Sequence, residues 1–382
     1  MYSGAPMRGE VLGEASWARR AYGVAALLAV AWLACSDGGG GLGVTGPANG
    51  GLVFVREEGG NADLMRARLS DQSVVRISRT PGREERWPYW SSLAGLVVFQ
   101  VRSYDASLMT DLRLWNPTTG EEMALRRTAR RDERWPVWSP TAPELAFRFK
   151  KPRGPAGIAI YDTESEKTRV VARTSPLDSF RRPEYAPDGR RLVAERTTPS
   201  QLSRLWLLEP GRPPRSLTKG PNRSDGKASF APDGASLIFT RRLSPKGPAD
   251  MARLDLATGE VSHLAGLPES DDHSGRLSPV RDELVLVSDR DGSMDVFLVE
   301  LPDGVPRNLT QTPDLHEGAP RWSPDGERLA ILRWATEASR TDTSPGEIRP
   351  DPARSRIAVI DRSGTLLFET PGTMADWMPA WP

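Results

Sequence analysis

A short phrase recurs seven times along this chain of 382 residues, at a nearly constant spacing. Each copy places an aromatic or apolar anchor before a turn sequence, as in residues 322–326 (WSPDG). The seven anchors are Trp90, Trp138, Tyr185, Phe230, Leu277, Trp322 and Trp381, and successive anchors are 48, 47, 45, 47, 45 and 59 residues apart. A period of this size indicates a repeat architecture, which constrains the fold more than any local pattern does.

Each repeat carries the signals of four short strands. The turn after an anchor leads into an apolar run, such as residues 328–332 (RLAIL), and a second hairpin follows, such as residues 254–261 (LDLATGEV). Proline presets φ for these turns, and glycine accepts a positive φ without steric cost. Four strands in a repeat of this length are typical of a propeller blade.

The two ends of the repeat region supply the two parts of one further blade. Residues 51–55 (GLVFV) form an apolar run with no anchor before it, and residues 380–381 form an anchor with no strands after it. Joining them closes a ring and removes the open edges that a solenoid would have to cap. The sequence therefore predicts an all-β, seven-bladed β-propeller over residues 51–382, its last blade closed by strands from both termini. Six or eight blades are the alternatives.

The sixth repeat is longer than the others because of one polar, proline-rich stretch. This stretch, residues 335–354, falls between the second and third strands of the blade. Its composition predicts a flexible surface loop.

The repeat resembles the TolB-type WD40-like repeat, also called PD40. Residues 288–292 (SDRDG) and 323–326 (SPDG) carry the resemblance most closely, and it covers nearly all of residues 51–382. It implies a propeller fold but little about function, because such blades occur in unrelated proteins. TolB itself is similar to a six-bladed propeller with an additional N-terminal α/β domain. The seven anchors and the short stretch before residue 51 depart from that pattern, so a role in a Tol-type envelope machine is not implied.

Residues 1–34 have the features of a signal peptide. Arg19 and Arg20 precede 14 uncharged residues, 21–34, which are fewer than the ~20 needed to span a bilayer. Cys35, the single cysteine, follows, and a glycine-rich tether occupies the rest of residues 35–50. The arrangement resembles a bacterial lipoprotein signal and implies lipidation of Cys35, although Trp32 stands where leucine is usual. An ordinary cleaved signal peptide with a spare cysteine is the alternative.

The lipoprotein resemblance also implies a location in the bacterial cell envelope. Ser36, directly after the lipidated position, favours the outer membrane, with the propeller facing the periplasm or the cell surface. The predicted organisation is a signal peptide (1–34), a lipidated cysteine with its tether (35–50) and the propeller (51–382).

Charge and cysteine content limit the partners. The chain has 51 Lys and Arg residues and 50 Asp and Glu residues, giving a net charge of +1. A near-neutral balance argues against nucleic acid as the main partner. A single cysteine allows no internal disulfide, so the core and the ring closure must stabilise the domain. We also expect a monomer.

No catalytic, cofactor or metal site is predicted. The chain lacks a G-x-S-x-G elbow, an H-E-x-x-H pair and a phosphate-binding loop. The histidines are His263, His273 and His316. Residues 271–273 (DDH) and 316–317 (HE) enter neighbouring blades and could share a metal, but a polar loop is the favoured interpretation.

Residues 289–295 (DRDGSMD) space oxygen ligands as a calcium loop does. Gly292 stands fourth in this run, whereas an EF-hand loop has its glycine sixth. A hairpin turn with glycine at its tip is favoured.

The twelve tryptophans raise the question of a ligand surface. Those at the anchors are predicted to pack between blades. Trp87, Trp135 and Trp377 stand just before anchors and are the candidates for ligand contact, although packing is favoured for them too.

These observations favour a non-catalytic envelope lipoprotein that binds an envelope protein or peptide through its propeller. Two alternatives stay open. One is a glycan- or peptide-processing enzyme with its site at the propeller mouth, and the other is a purely structural envelope protein.

Overall fold

The computed structural model describes residues 50–378, except 104–108, 126–131, 153, 176, 201, 222, 245–246, 266–269, 303, 337–338 and 341–348. The predicted signal peptide, Cys35 and the tether therefore lie outside the described residues, apart from Gly50. Within the described ranges the regular structure is β-strand, with a 3-10 turn at Pro352–Arg354. No helix in these ranges is long and apolar enough to cross a membrane.

Seven four-stranded antiparallel sheets form the propeller. The chain begins with β1 (Gly51–Glu58), β2 (Asn61–Arg68) and β3 (Ser73–Arg76). Blade 1 contains β4 (Arg83–Ser91), β5 (Leu96–Ser103), β6 (Thr110–Trp115) and β7 (Glu122–Ala124). Blade 2 contains β8 (Asp132–Trp138), β9 (Glu144–Lys150), β10 (Ala156–Asp162) and β11 (Lys167–Arg173). Blade 3 contains β12 (Ser179–Tyr185), β13 (Leu192–Thr197), β14 (Ser203–Leu208) and β15 (Arg215–Ser216).

The remaining blades follow the same meander. Blade 4 contains β16 (Ser224–Phe230), β17 (Ser236–Arg242), β18 (Ala249–Asp255) and β19 (Val261–Ala265). Blade 5 contains β20 (His273–Leu277), β21 (Glu283–Ser288), β22 (Asp295–Glu300) and β23 (Arg307–Asn308). Blade 6 begins with β24 (Leu315–Trp322) and β25 (Arg328–Ala335). After the short strands β26 (Ser339–Arg340) and β27 (Arg349–Pro350), it ends with β28 (Arg356–Asp361) and β29 (Leu366–Pro371). The predicted seven-bladed propeller is confirmed.

The seventh blade, which we call the closing blade, joins the two ends of the propeller. Its order is β3-β2-β1-β30, where β30 is Thr373–Met378. The pairing is antiparallel and aligns Leu52 with Trp377. Closure by strands from both ends of the chain is therefore confirmed.

The prediction that Trp381 anchors the closing strand was wrong. The Nε1 of Trp377 donates to the carbonyl of Arg321 at 2.9 Å, as Trp138 and Trp322 donate to the preceding blades at 2.9 and 3.1 Å. Trp377 is thus the seventh anchor, while Trp381 lies outside the described residues. Residues 377–381 (WMPAW) offer two tryptophans, and only the register of the strand selects between them.

The long stretch in blade 6 differs in part from the flexible loop predicted for it. β26 and β27 pair as an antiparallel hairpin, with Ser339 opposite Pro350 and Arg340 opposite Arg349. Backbone pairing thus orders these two short segments of the insertion, which composition alone did not indicate.

The hydrophobic core lies between adjacent blades. Leu52 and Phe54 of the closing blade pack with Ala330 and Val359 of blade 6, and similar clusters join the other neighbours. Burial of these alternating side chains holds each sheet face against the next.

Buried carboxylates form a second repeated feature, five residues before the anchor in five blades. They are Glu85, Glu133, Asp225, Asp272 and Glu317. Four of them pair with an arginine of the same blade: Glu85 with Arg83 (3.1 Å), Asp225 with Arg241 (2.8 Å), Asp272 with Arg290 (3.0 Å) and Glu317 with Arg333 (3.1 Å). Because a buried charge needs a partner, these pairs belong to the framework of the ring.

Candidate functional site in the central channel

The first strand of every blade carries the same backbone irregularity. The residue three before the anchor has a positive φ, between 44° and 58°, in all seven blades. These residues are Trp87, Trp135, Arg182, Lys227, Ser274, Ala319 and Met374. The strand register shifts at each of these points, as in a β-bulge. A positive φ is unusual for residues other than glycine, so its repetition in all seven blades indicates a structural requirement of the ring.

The bulges surround a cavity at the centre of the ring with a volume of about 370 Å³. Its walls come from the first strands of blades 1 to 6. Residues at the bulge and just before the anchor provide most of the lining, namely Trp87, Tyr89, Trp135, Val137, Arg182, Glu184, Lys227, Ser274, Arg276, Ala319 and Arg321. The repeat that builds the fold therefore also brings distant parts of the chain to one site.

The charged side chains of the lining are mostly cationic. Arg182, Lys227, Arg276 and Arg321 face Glu184 as the single lining carboxylate. These five charged residues come from blades 3 to 6. A cavity with low-dielectric walls and an excess of one charge concentrates a field that attracts ligands of the opposite sign.

Two of these cations have few polar partners. The Nζ of Lys227 donates to the Ser274 hydroxyl at 3.1 Å, and Arg276 donates to the carbonyl of Gly275 at 3.0 Å. Within the described part of the chain, neither forms an ion pair with a carboxylate. Arg182, by contrast, pairs with Glu195 at 3.3 Å.

The electrostatics reflect this excess of positive charge. Burial, followed by the repulsion of Arg182, lowers the pKa of Lys227 to about 8. Burial also lowers the pKa of Arg276, and neighbouring Arg321 adds to the effect. Both lowered pKa values show that the charged form is disfavoured, as expected for buried cations without a direct ion pair.

Two of the three candidate tryptophans lie in this cavity. Trp87 is 40% exposed, and half-buried Trp135 has the guanidinium of Arg148 at 5.6 Å from its ring centre. Trp377, the third candidate, is buried as a blade anchor instead. Trp87 and Trp135 thus give the cavity an aromatic side next to its cations.

In the first of the two loops that could share a metal, residues 271–273, both carboxylates form ion pairs with arginines. Asp271 pairs with Arg242 at 2.8 Å, and Asp272 pairs with Arg290 at 3.0 Å. His273 lies 2.9 Å from the Ser274 hydroxyl, and burial lowers its pKa to about 3.

In the second loop, residues 316–317, the candidate metal ligands are likewise engaged by protein groups. His316 accepts from the backbone amide of Met294 at 3.0 Å, and Glu317 pairs with Arg333. His263 lies apart from both groups, exposed on β19. In the ranges that the structure describes, no three His, Cys, Asp or Glu residues are placed to hold a metal ion.

The stretch with calcium-loop spacing forms the turn between β21 and β22. Gly292 has φ 104°, and Asp289 accepts from the amide of Asp271 at 2.7 Å. Asp295 accepts from Ser293 and Thr310. The hairpin interpretation therefore describes this segment.

Sequence reasoning missed the cations of the cavity. Arg182 and Lys227 stand three residues before their anchors, and Arg276 and Arg321 stand one residue before theirs. Aligning the repeats on the anchors and comparing these two positions would have collected all four. The bulge, which turns both positions toward the centre, has no signature in a single repeat.

The fold and the channel define a seven-bladed β-propeller. No protein-family model matches the chain. An uncharacterized protein of Agrobacterium fabrum, Atu1656, is 26% identical over 228 residues, which are 54% of this chain and 74% of that protein.

Solved structures share the fold at low sequence identity. A prolyl endopeptidase has a TM-score of 0.63 at 14% identity, covering 87% of this chain and 49% of its own. Oligogalacturonate lyase in complex with manganese has a TM-score of 0.59 at 15% identity, covering 74% and 82%. TolB from Acinetobacter baumannii has a TM-score of 0.48 at 16% identity, covering 85% and 82%. At identities of 14–15%, the likeness to the endopeptidase and the lyase extends to the fold and not to an activity.

Proposed function

We propose that this chain is a non-catalytic scaffold that acts as a monomer and binds an envelope protein or peptide in its central cavity. The observation that carries the proposal is the lining: exposed Trp87 and half-buried Trp135 stand beside four cationic side chains. Tryptophan and arginine dominate the binding energy of protein interfaces, especially inside pockets. A cavity of about 370 Å³ accommodates a few side chains of a partner.

The state of the acid–base candidates supports binding over catalysis. Asp271, Asp272 and Glu317 each pair with an arginine, and His316 accepts a backbone hydrogen bond. A general base needs a free lone pair within reach of a substrate proton. Asp271, Asp272 and His316 instead direct theirs to neighbouring donors, and the unpartnered Oε2 of Glu317 is buried out of reach of solvent.

A glycan- or peptide-processing enzyme is the alternative, and one observation favours its glycan form. The cationic lining of the cavity would also attract an acidic sugar. Incubation of the chain with oligogalacturonate and with peptides, followed by mass spectrometry of the products, tests it. If the unmodified chain converts either substrate faster than a Trp87→Ala/Arg276→Gln variant does, the enzyme proposal would replace the scaffold proposal.

Site-specific crosslinking tests the scaffold. A photo-crosslinking residue at Trp87 reports on the cavity, and one at Met123, which is 42% exposed on β7 of the same blade, is the matched control. We expect one protein partner to be captured from native envelope at position 87 and not at position 123. Capture that is equal at both positions, or that survives Trp135→Ala, would contradict binding in the cavity.

We also propose that lipid on Cys35 anchors the chain to the envelope, in the outer membrane. The support is the uncharged stretch before this single cysteine and the glycine-rich residues after it. Replacing Cys35 with Ser is expected to move the protein from the membrane pellet to the soluble envelope fraction. The matched control is Thr45→Ser in the tether, which should leave the protein in the pellet. Membrane association that is unchanged in Cys35→Ser would exclude anchoring through this residue.

A further inference from the structure

We infer that the central cavity recognises a carboxylate group of its peptide ligand, and that Lys227 and Arg276 hold the two oxygens. The inference rests on the proposed function, because it names the chemical group by which the bound peptide is held. It adds a ligand group and two recognition residues that no sequence motif indicated.

Lys227 has hydrogen-bonding capacity to spare. Its ammonium group carries three donors, and the Ser274 hydroxyl takes one of them. The nearby charged and titratable groups are Arg182, Arg242, Asp271, Glu195 and His273.

The two carboxylates near Lys227 are already engaged. Asp271 binds Arg242 at 2.8 Å and the amide of Ala249 at 2.9 Å. Glu195 binds Arg182 at 3.3 Å and accepts from the backbone amide of Lys227 at 2.6 Å. The lysine ammonium is therefore left as a donor toward the cavity.

Arg276 is in a similar position one blade further on. Its guanidinium donates to the adjacent carbonyl of Gly275 at 3.0 Å, which uses one of its five donors. The charged and titratable groups facing it are Arg321, Glu184, Tyr89 and Arg182. Glu184, the acid among these, accepts from the Ser229 hydroxyl at 3.4 Å.

A carboxylate is the ligand group that fits this pair. Its two oxygens match the parallel donors of a guanidinium, and a lysine ammonium adds a point charge beside them. Burying a cation without a direct ion pair is costly, so binding an anion here relieves a cost that the free protein already carries. Trp87 and Trp135 lie at the same cavity and can pack against the rest of a peptide.

A set of four peptides tests the inference and separates the two sources of a carboxylate. The probes are acetyl-triglutamate with a free C-terminus, its C-terminal amide, acetyl-triglutamine with a free C-terminus, and its amide. We expect the full chain in detergent to bind triglutamate with a free terminus, and to bind the triglutamine amide, which has no carboxylate, at least about tenfold more weakly. Binding of triglutamine with a free terminus assigns a C-terminal carboxylate, and binding of the triglutamate amide assigns a side chain.

The pKa of Lys227 gives a direct reading of the site. Lysines labelled with ¹³C-methyl groups are titrated by NMR, and Lys227→Arg assigns the signal. A bound carboxylate favours the charged ammonium and is expected to raise this pKa from its free value of about 8. The pKa itself is measured on the unmutated protein, and the variant serves only to assign the signal.

Substitutions identify the residues. Lys227→Met and Arg276→Gln are each expected to weaken binding of triglutamate about tenfold or more, and Lys227→Arg is expected to retain it. Lys167→Met is the matched control, because this lysine is exposed on the outer strand β11.

The outcomes separate this inference from the proposed function. If all four peptides bind equally and the pKa of Lys227 does not move, the inference is overturned. If crosslinking at Trp87 then still captures its partner, the scaffold itself stands. Binding of oligogalacturonate with none of the peptides would uphold a carboxylate site but overturn a peptide as its ligand.

Discussion

The indole Nε1 of Trp377 donates a 2.9 Å hydrogen bond to the backbone carbonyl of Arg321. Trp377 lies on the strand that closes the ring, and the side chain of Arg321 lines the central cavity. The same residue of blade 6 therefore receives the closing strand through its backbone and contributes to the candidate site through its side chain. Ring closure and cavity shape are coupled at this point.

Replacing Trp377 with Phe should weaken this closure. The change removes the indole donor and leaves the Arg321 carbonyl without it, so we expect the free energy of unfolding to fall by about 1–3 kcal/mol. Urea unfolding followed by circular dichroism measures the change. The control is Trp87→Phe, which alters an exposed tryptophan and should change the free energy of unfolding by less than about 0.5 kcal/mol. Equal effects would contradict the role assigned to Trp377.

Two truncations should separate the closing strand from the residues after it. A chain that ends at Gly372 lacks β30, so β1 keeps β2 on one side but is left as an open edge on the other. We expect this chain to aggregate or to lose cooperative thermal unfolding. A chain that ends at Met378 keeps every described pair of the closing blade and should unfold near the full-length temperature. Similar melting of the two truncated chains would contradict closure by β30.

Stability should depend on pH through Glu317. Burial raises the pKa of this carboxyl group to about 7, and its Oε2 has no hydrogen-bond partner among the described residues. A folded-state pKa above the unfolded value near 4.5 means that the folded form holds its proton more tightly. The contribution of Glu317 to stability is therefore fully present below pH ~4.5 and is lost as the pH rises to about 7.

Glu317→Gln should remove this part of the pH dependence. We expect the urea midpoint of the variant to fall less between pH 5 and pH 8 than that of the unmodified chain. Glu327→Gln, at an exposed position on a turn, is the control and should leave the slope unchanged. A Glu317→Gln slope identical to that of the unmodified chain would contradict the raised pKa.

The buried Asp225–Arg241 pair should matter far more than an exposed pair of similar geometry. Asp225→Asn leaves the Arg241 guanidinium without its counter-charge in the interior, so we expect a loss of about 3–5 kcal/mol in unfolding free energy. Glu144→Gln breaks the more exposed pair with Arg169 and should cost about 0–1 kcal/mol. Chemical denaturation of both variants measures the difference, and equal losses would contradict a structural role for the buried pair.

The sequence predicted the number of blades, and the structure confirms it. The anchors recur because each blade needs one large side chain against its neighbour, and that need leaves a period that can be counted. The closing anchor was misassigned because Trp377 and Trp381 both fit the phrase. Choosing between them requires the pairing of Trp377 with Leu52, and these two residues are far apart in the sequence.

The candidate site was only partly predictable. Trp87 and Trp135 were singled out because they are large aromatic residues just before anchors, and both line the cavity. Lys227 and Arg276 were not, since single basic residues in a chain with 51 of them carry no signal. Periodicity is a local property that the sequence records directly, and it determined the ring of blades. Which side chains meet at the centre depends on a bulge in every first strand and on ring closure, and only the tertiary structure brings those together.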